Sequence, residues 1–235
     1  MLAGTQGPAT AGRSVRRQSW CRSPIFATMS DDEKQRRVWD RHAAGYDRQM
    51  AFIERRFLRD TREWICRQAT GATLEVAIGT GRNLPYYPDS VRITGVELSP
   101  RMLEIAGRRA TELGREVDLR PGTAHDLDFP DATFDTVVCT LSLCAIPDDH
   151  RAVEEMIRVL RPGGLLLLAD HVVGANRPVR AIQRLIELVS VPAAGEHFRR
   201  RPIRDVAAAG LHIEQHQRFA AGVIERLAAS KPAGT

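Results

Sequence analysis

A chain of 235 residues can bury one substantial core, and 43% hydrophobic with 27% charged residues is the composition of a soluble globular protein. The longest unbroken apolar run, Leu165 to Ala169, falls far short of the roughly 20 residues that span a bilayer, which excludes a transmembrane segment. The net charge of +5 rests mostly on Arg13, Arg16, Arg17 and Arg22, which precede the first acidic residue, Asp31; the remainder is nearly neutral and offers no footprint for nucleic acid.

Residues 1–29 are rich in Gly, Pro, Ser, Thr and Arg and lack the apolar stretch of a secretory signal, so they read as a disordered tail. Ser30 followed by Glu33 forms a capping box, with Asp31 and Asp32 in the first turn, and starts a helix. Two helices rich in aromatics (Trp39, Tyr46, Phe52, Phe57, Trp64) are expected over about 31–70, ending near Gly71. A strand follows over Thr73 to Ile78, then a second in "RITGVEL". Ser99 is the N-cap and Pro100 the first residue of a helix with Leu103, Ala106, Ala110 and Leu113 on its inner face, closed by Gly114. Strands are expected at Val117 to Arg120, in "FDTVVCTL" and in "LLLLA", with a helix before the last of these carrying Val153, Met156, Ile157 and Leu160 inward. A helix from about Pro178 to Val191 should turn Ile182, Leu185, Ile186 and Val189 inward. A short helix in "IRDVAAAG" and an antiparallel pair, Leu211 to Gln217 with Val223 to Ser230, complete the chain.

Buried strands alternating with amphipathic helices make an α/β fold: a doubly wound, mostly parallel, seven-stranded Rossmann-like sheet with an antiparallel last strand and an N-terminal helical lid. One domain is expected over 30–235, with the sheet at about 73–230. Ligands of such sheets bind beyond the carboxyl ends of the strands. Three groups fall there: Gly79 and Gly81 after the first strand, Glu97 at the end of the second, and Thr123, Ala124 and His125 ahead of the fourth. Glycines let backbone N–H groups approach a ligand, a carboxylate can accept both hydroxyls of a ribose, and the polar loop lies where an adenine edge would sit. An adenosine-containing cofactor is implied. A dinucleotide fingerprint would need small residues at 79, 81 and 84, but position 84 is Leu84, and starting from 77 would need a glycine at 82, which is Arg82; this disfavours an NAD-dependent oxidoreductase.

The spacing Glu75, Ala77, Gly79, Gly81, together with "GVELSPRMLEIA", "LDFPDATFDTVVCTLSLCAIPD" and "IRVLRPGGLLLLADH", resembles the class I S-adenosylmethionine-dependent methyltransferases, in the small-molecule group of the ubiquinone/menaquinone C-methyltransferases. "VVCTLSLCAIPD" and the "DH" after the fifth strand are most similar to phospholipid N-methyltransferases and alkyl-thiol methyltransferases. The resemblance implies S-adenosyl-L-methionine as cofactor. It implies that Gly79 and Gly81 pass under its methionine portion, Glu97 takes its ribose, Thr123 to His125 flank its adenine, and Cys139, Thr140 and Leu141 lie along its sulfonium side, with Glu75, Ala77 and Leu98 in the same cofactor site. Ala77 replaces the usual first glycine, a change a strand conformation would tolerate. Thr123 stands where many relatives have an aspartate.

In-line methyl transfer is mainly a matter of positioning in a dry pocket. A base is needed only for an acceptor that still carries its proton. His171, after the fifth strand, is the first candidate, with Asp170 and Cys144 behind it; Tyr46 in "HAAGYD" is the lid candidate. A hydrogen-bonding support is the alternative role for His171. The partner is a small-molecule or lipid-like substrate, with peripheral membrane contact left open. The Asn-Pro-Pro-Tyr type of motif and a Pro-Cys nucleophile are both absent, which argues against nucleic acid. Cys21, Cys66, Cys139 and Cys144 have neither CxxC spacing nor a histidine cluster, so no metal and a cytoplasmic setting are expected. A catalytically silent cofactor-binding module is the second functional class.

Overall fold

The computed structural model describes residues 29–234, so the tail expected over residues 1–29 lies, but for Met29, outside the described residues. Seven strands form one sheet: β1 (Ala72–Val76), β2 (Arg92–Glu97), β3 (Val117–Pro121), β4 (Phe134–Thr140), β5 (Leu160–His171), β6 (His212–Phe219) and β7 (Ile224–Ser230). Their order is β3-β2-β1-β4-β5-β7-β6, and β7 is antiparallel to both its neighbours while the pairs from β3 to β5 are parallel. Successive residues of the central strands enter opposite cores. Val137, Leu166 and Leu168 join Leu74 and Met156 on one side; Val138, Leu167 and Ala169 join Ile65 and Ile93 on the other. That two-sided burial is why these strands read as continuous apolar runs.

The helices are α1 (Asp31–Ile53), α2 (Thr61–Cys66), α3 (Pro100–Glu112), α4 (Asp149–Val159), α5 (Arg177–Ala194) and α6 (Pro202–Ala208), with a π-helical turn at Glu54–Leu58. The Ser30 hydroxyl accepts from the Glu33 amide, and the Ser99 hydroxyl from the Met102 amide, so both predicted caps operate. The buried stripe of α3 is Met102, Ala106 and Ala110; Leu113 is exposed instead, because the helix ends before it.

Three departures from the sequence reading have physical causes. β5 begins at Leu160 and not at Leu165, because Gly164 lets the chain run so close to Asp135 that a Cβ would lie 2.9 Å from that residue's carbonyl oxygen. β1 stops at Val76, two residues early. Ala77 is therefore not in strand conformation but in the left-handed region, at φ 54°. A non-glycine residue there costs roughly 1–2 kcal/mol. Ala77→Gly is expected to stabilise the protein by about 1 kcal/mol or less, since the greater freedom of the unfolded chain offsets part of the relief; urea unfolding at constant m-value checks it. Finally, α5 is turned over: Ile182, Leu185, Ile186 and Val189 face outward, and its buried residues are Gln183 and Glu187.

Val76 pairs with Val96 on one side and Cys139 on the other, which brings the carboxyl ends of β1, β2 and β4 to one level. Ala77, Glu97 and Thr140 follow directly at that rim.

Candidate active site

A cleft opens at these strand ends. Glu97 is buried at its rim with both oxygens bonded. Oε2 accepts from the Gly79 amide (2.9 Å) and Oε1 from the Ser99 amide (2.8 Å), so the carboxylate joins the turn after β1 to the start of α3. Burial pushes the pKa of Glu97 up, and the amides of Ser99, Gly79 and Leu98 oppose that rise. Each oxygen keeps acceptor capacity toward the cleft. Gly79 has φ 59°, and a Cβ built on it would meet nothing nearer than 4.0 Å, so its open side faces the cleft. Gly81 differs. A Cβ there would lie 2.9 Å from Leu84 and 3.3 Å from Ala106, so it serves loop–helix packing and does not line the cleft.

The floor is a buried polar network. Glu75 accepts from Tyr87 Oη (2.9 Å) and Asn83 Nδ2 (2.8 Å), Asn83 Nδ2 also reaches Thr140 Oγ1 (3.1 Å), and Arg62 donates to Asn83 Oδ1 (2.8 Å). Loss of solvation dominates at Glu75 and pushes its pKa up to about 7, against the hydrogen bond from Tyr87 and the charge of Arg62. Thr140 and Leu141 line the cleft beside this floor, while Cys139 points into the core at 1% exposure, as strand alternation requires. Cys139 is thus withdrawn from the set of cleft residues.

Leu98, Thr123, Ala124 and His125 form the rim. Nε2 of His125 accepts from the Asp148 amide (3.1 Å), which leaves the proton on Nδ1, 3.1 Å from Asp32 Oδ1. The ring therefore joins α1 to the start of α4, and both its nitrogens are spoken for.

Helix α1 lies over the cleft as a lid held by polar latches. Asp40 accepts from Ser99 Oγ (2.6 Å), Asp47 from Thr80 Oγ1 (2.6 Å) and Arg109, and Glu54 from Arg62 Nε (2.6 Å) and Arg82. Partial burial would raise the Asp47 carboxyl, but Thr80 and Arg109 outweigh it and hold it below the usual range. Only Gln35 and Ala43 of α1 are buried, so little apolar area opposes its opening. Tyr46 lines the cleft, edge-on to Trp39 at 6.1 Å. Its phenol is pushed up to about 12 by burial, so it keeps its proton near neutral pH.

His171 is the last residue of β5 and lies outside the cleft lining. Its ring stacks on Phe198 at 4.3 Å, and Nδ1 is buried without a hydrogen-bond partner, 3.9 Å from Asp170 Oδ1. Asp170 accepts from the amides of Cys144 (3.1 Å) and His171 (2.7 Å), and burial pushes the Cys144 thiol up, with the Asp170 charge adding to it. One ligand atom each from Cys144, Asp170 and His171 lie within 4.8 Å of one another. The three expected bases thus cluster beside the end of β5, outside the cleft lining. His171→Ala is accordingly expected to lower turnover only a few-fold, with an unchanged pH–rate profile, because a lost general base costs ~10²–10⁴-fold; steady-state rates from pH 6 to 9 decide it.

Arg62, Thr80 and Ser142 also line the cleft; Thr80 and Ser142 fall within the strand-end motifs without being singled out by them, and Arg62, which lies in no motif, reaches the cleft from α2.

Residues 74–168 match the family model described as Methyltransferase domain. The phosphatidylethanolamine N-methyltransferase of Cereibacter sphaeroides is 40% identical over 118 residues, 49% of this chain and 58% of that protein. The thiol S-methyltransferase TMT1A of Homo sapiens is 33% identical over 132 residues, 54% of this chain and 53% of that protein. The chain thus spans little more than half the length of these curated relatives. A possible histamine N-methyltransferase from Thermotoga maritima has the same fold, with a TM-score of 0.64 over 83% of this chain and 99% of that one at 23% identity. The residues at the strand ends fit the cofactor of that class, with an acid at the end of β2 and a glycine open to the cleft. Residues 74–168 are thus similar to a methyltransferase domain, and both curated relatives named are methyltransferases.

Proposed function

We propose that the chain transfers a methyl group from S-adenosyl-L-methionine to a small, apolar or lipid-like acceptor that brings its own nucleophile. The observation that carries this reading is the cleft itself: Glu75, Gly79, Glu97, Leu98, Thr123 to His125, Thr140 and Leu141 all line it. When bound, the cofactor supplies an electrophilic methyl on a sulfonium. Glu97 accepts the ribose hydroxyls, Gly79 leaves room for the methionine portion, and the anionic form of Glu75 balances positive charge above the floor. Thr123 and Ala124 flank the adenine, a role in which the ring nitrogens of His125 take no part. The α1 lid excludes water.

The acceptor class follows from what the cleft lacks. Tyr46 keeps its proton, and Cys144 and His171 lie outside the cleft lining, which favours an acceptor that arrives already deprotonated, such as a free amine or a thiolate, over a carbon acid. The printed names of the two relatives, one a lipid-amine and one a thiol methyltransferase, agree with that preference.

The test uses the full chain, methyl-labelled cofactor and a cell extract separated into lipid, small-molecule and polymer fractions. Label in the lipid or small-molecule fraction, with stoichiometric S-adenosylhomocysteine, supports the reading. Cofactor binding without turnover for any fraction would instead support a silent module.

A further inference from the structure

Helix α5 exposes what an amphipathic helix ordinarily hides. Ile182, Leu185, Ile186 and Val189, at the i, i+3, i+4, i+7 spacing of one face, are 56, 66, 43 and 71% exposed, and Leu188 beside them is 72% exposed. The orientation is fixed, because the opposite face is anchored by polar groups. Gln183 accepts from the Gly174 amide (2.8 Å) and donates to the carbonyls of Val172 (2.8 Å) and Phe198 (2.9 Å), while Glu187 accepts from the Phe198 amide (2.7 Å) and from Arg199. Rolling the helix inward would orphan all of these bonds.

A second exposed apolar group, Phe52, Ile53 and Phe57, ends the lid. The two patches belong to connected elements. Arg59 lies over the Phe219 ring at 5.1 Å, and the turn after Phe219 accepts from Ala175, just ahead of α5 (3.1 Å). At the other end Gln35 of α1 donates to the Ala194 carbonyl (3.0 Å).

The charge around the patches is of one sign. Arg177 and Arg184, two turns apart along one flank of α5, and Arg55 and Arg56 beside Phe57 are exposed, and none is paired with a carboxylate among the described residues. The carboxylates nearest in sequence are committed, Glu187 to Arg199 and Glu54 to Arg62 and Arg82. No helix among the described residues is long and apolar enough to cross a membrane. An exposed apolar face flanked by arginine is the pattern of a helix that lies in an interface with anionic headgroups. A two-fold contact with a second copy through the same face would set these arginines against one another.

We propose that α5 and the end of the lid dock the protein on an anionic lipid surface, with the apolar face in the headgroup boundary and the arginines on the phosphates. This goes beyond the methyl-transfer reading and does not depend on the acceptor.

The experiment is flotation of the full chain with vesicles of phosphatidylcholine alone or with phosphatidylglycerol added, at low and high salt. Binding to the anionic vesicles that weakens with salt is expected. A Leu185→Glu, Val189→Glu double variant and Arg184→Glu should each reduce it at least tenfold while cofactor affinity, measured by calorimetry, stays unchanged. No flotation with anionic vesicles overturns the proposal. So does equal binding to neutral vesicles, or a dimer that the double variant converts to monomer. Failure of the methyl-transfer test leaves these outcomes readable, because none of them uses turnover.

Discussion

Replacing Glu97 by alanine is expected to weaken S-adenosylmethionine binding by roughly 10- to 100-fold or more. The carboxylate sits at the end of β2, is 5% exposed and is held by the Gly79 and Ser99 amides. A hydrogen bond to a charged acceptor is worth roughly 1.5–3 kcal/mol, and each 1.4 kcal/mol is about tenfold in affinity. A second cost falls on the protein. Without the carboxylate the amides of Gly79 and Ser99 lose their partner, so the turn after β1 and the start of α3 loosen together. Glu97→Gln separates the two effects, because its amide oxygen keeps one of the backbone partners and the side-chain volume. Calorimetry on variants shown to be folded should rank wild type above Gln above Ala. Equal affinities for all three would remove Glu97 from the site.

The order of elements and the strand-end constellation were legible in the sequence because both depend on local signals. Alternating buried strands and capped helices give the doubly wound sheet, and Gly79, Glu97 and Thr123 to His125 each end or follow a strand. What was not legible depends on contacts far apart in sequence. Helical spacing identifies the apolar face of α5 but not which way it turns; Gln183 and Glu187 decide that by bonding to Gly174, Phe198 and Arg199. Gly81 and Gly79 look alike in the motif, yet only packing against Leu84 and Ala106 tells a structural glycine from one that faces the cleft. His171 was placed at the rim by strand order, but the stack on Phe198 holds its ring outside the lining. The lid latches are likewise invisible in sequence, since Asp47 and Arg109 lie 62 residues apart.

The second large effect is a pH dependence carried by Glu75. Burial pushes its pKa from 4.5 up to about 7, so between these values the folded protein holds a proton that the unfolded chain has released. Stability then falls as pH rises, because the native state binds more protons than the unfolded one. The contribution is fully present below pH 4.5, is lost up to about pH 7 and is constant above it. At 1.36 kcal/mol per unit the loss is about 3 kcal/mol. Asp47 and Glu54, whose carboxyls are held low by Thr80, Arg109 and Arg82 despite partial burial, act below this window with the opposite sign. Glu75→Gln removes the titration and keeps a carbonyl for Asn83 and an amide for Tyr87. The stability of the variant relative to wild type should therefore rise between pH 4.5 and 7 and then stay level. The same proton opposes a cationic ligand in the cleft, so cofactor affinity should increase with pH from 5.5 to 8 in the wild type. Binding at pH 6 should release a proton, seen as heat that varies with the ionisation enthalpy of the buffer, and the variant should show neither effect. Parallel stability curves for the two proteins across this window would mean that Glu75 is already ionised at pH 5. In that case Asn83, Tyr87 and Arg62 together stabilise its charge against burial, and the floor of the cleft is permanently anionic.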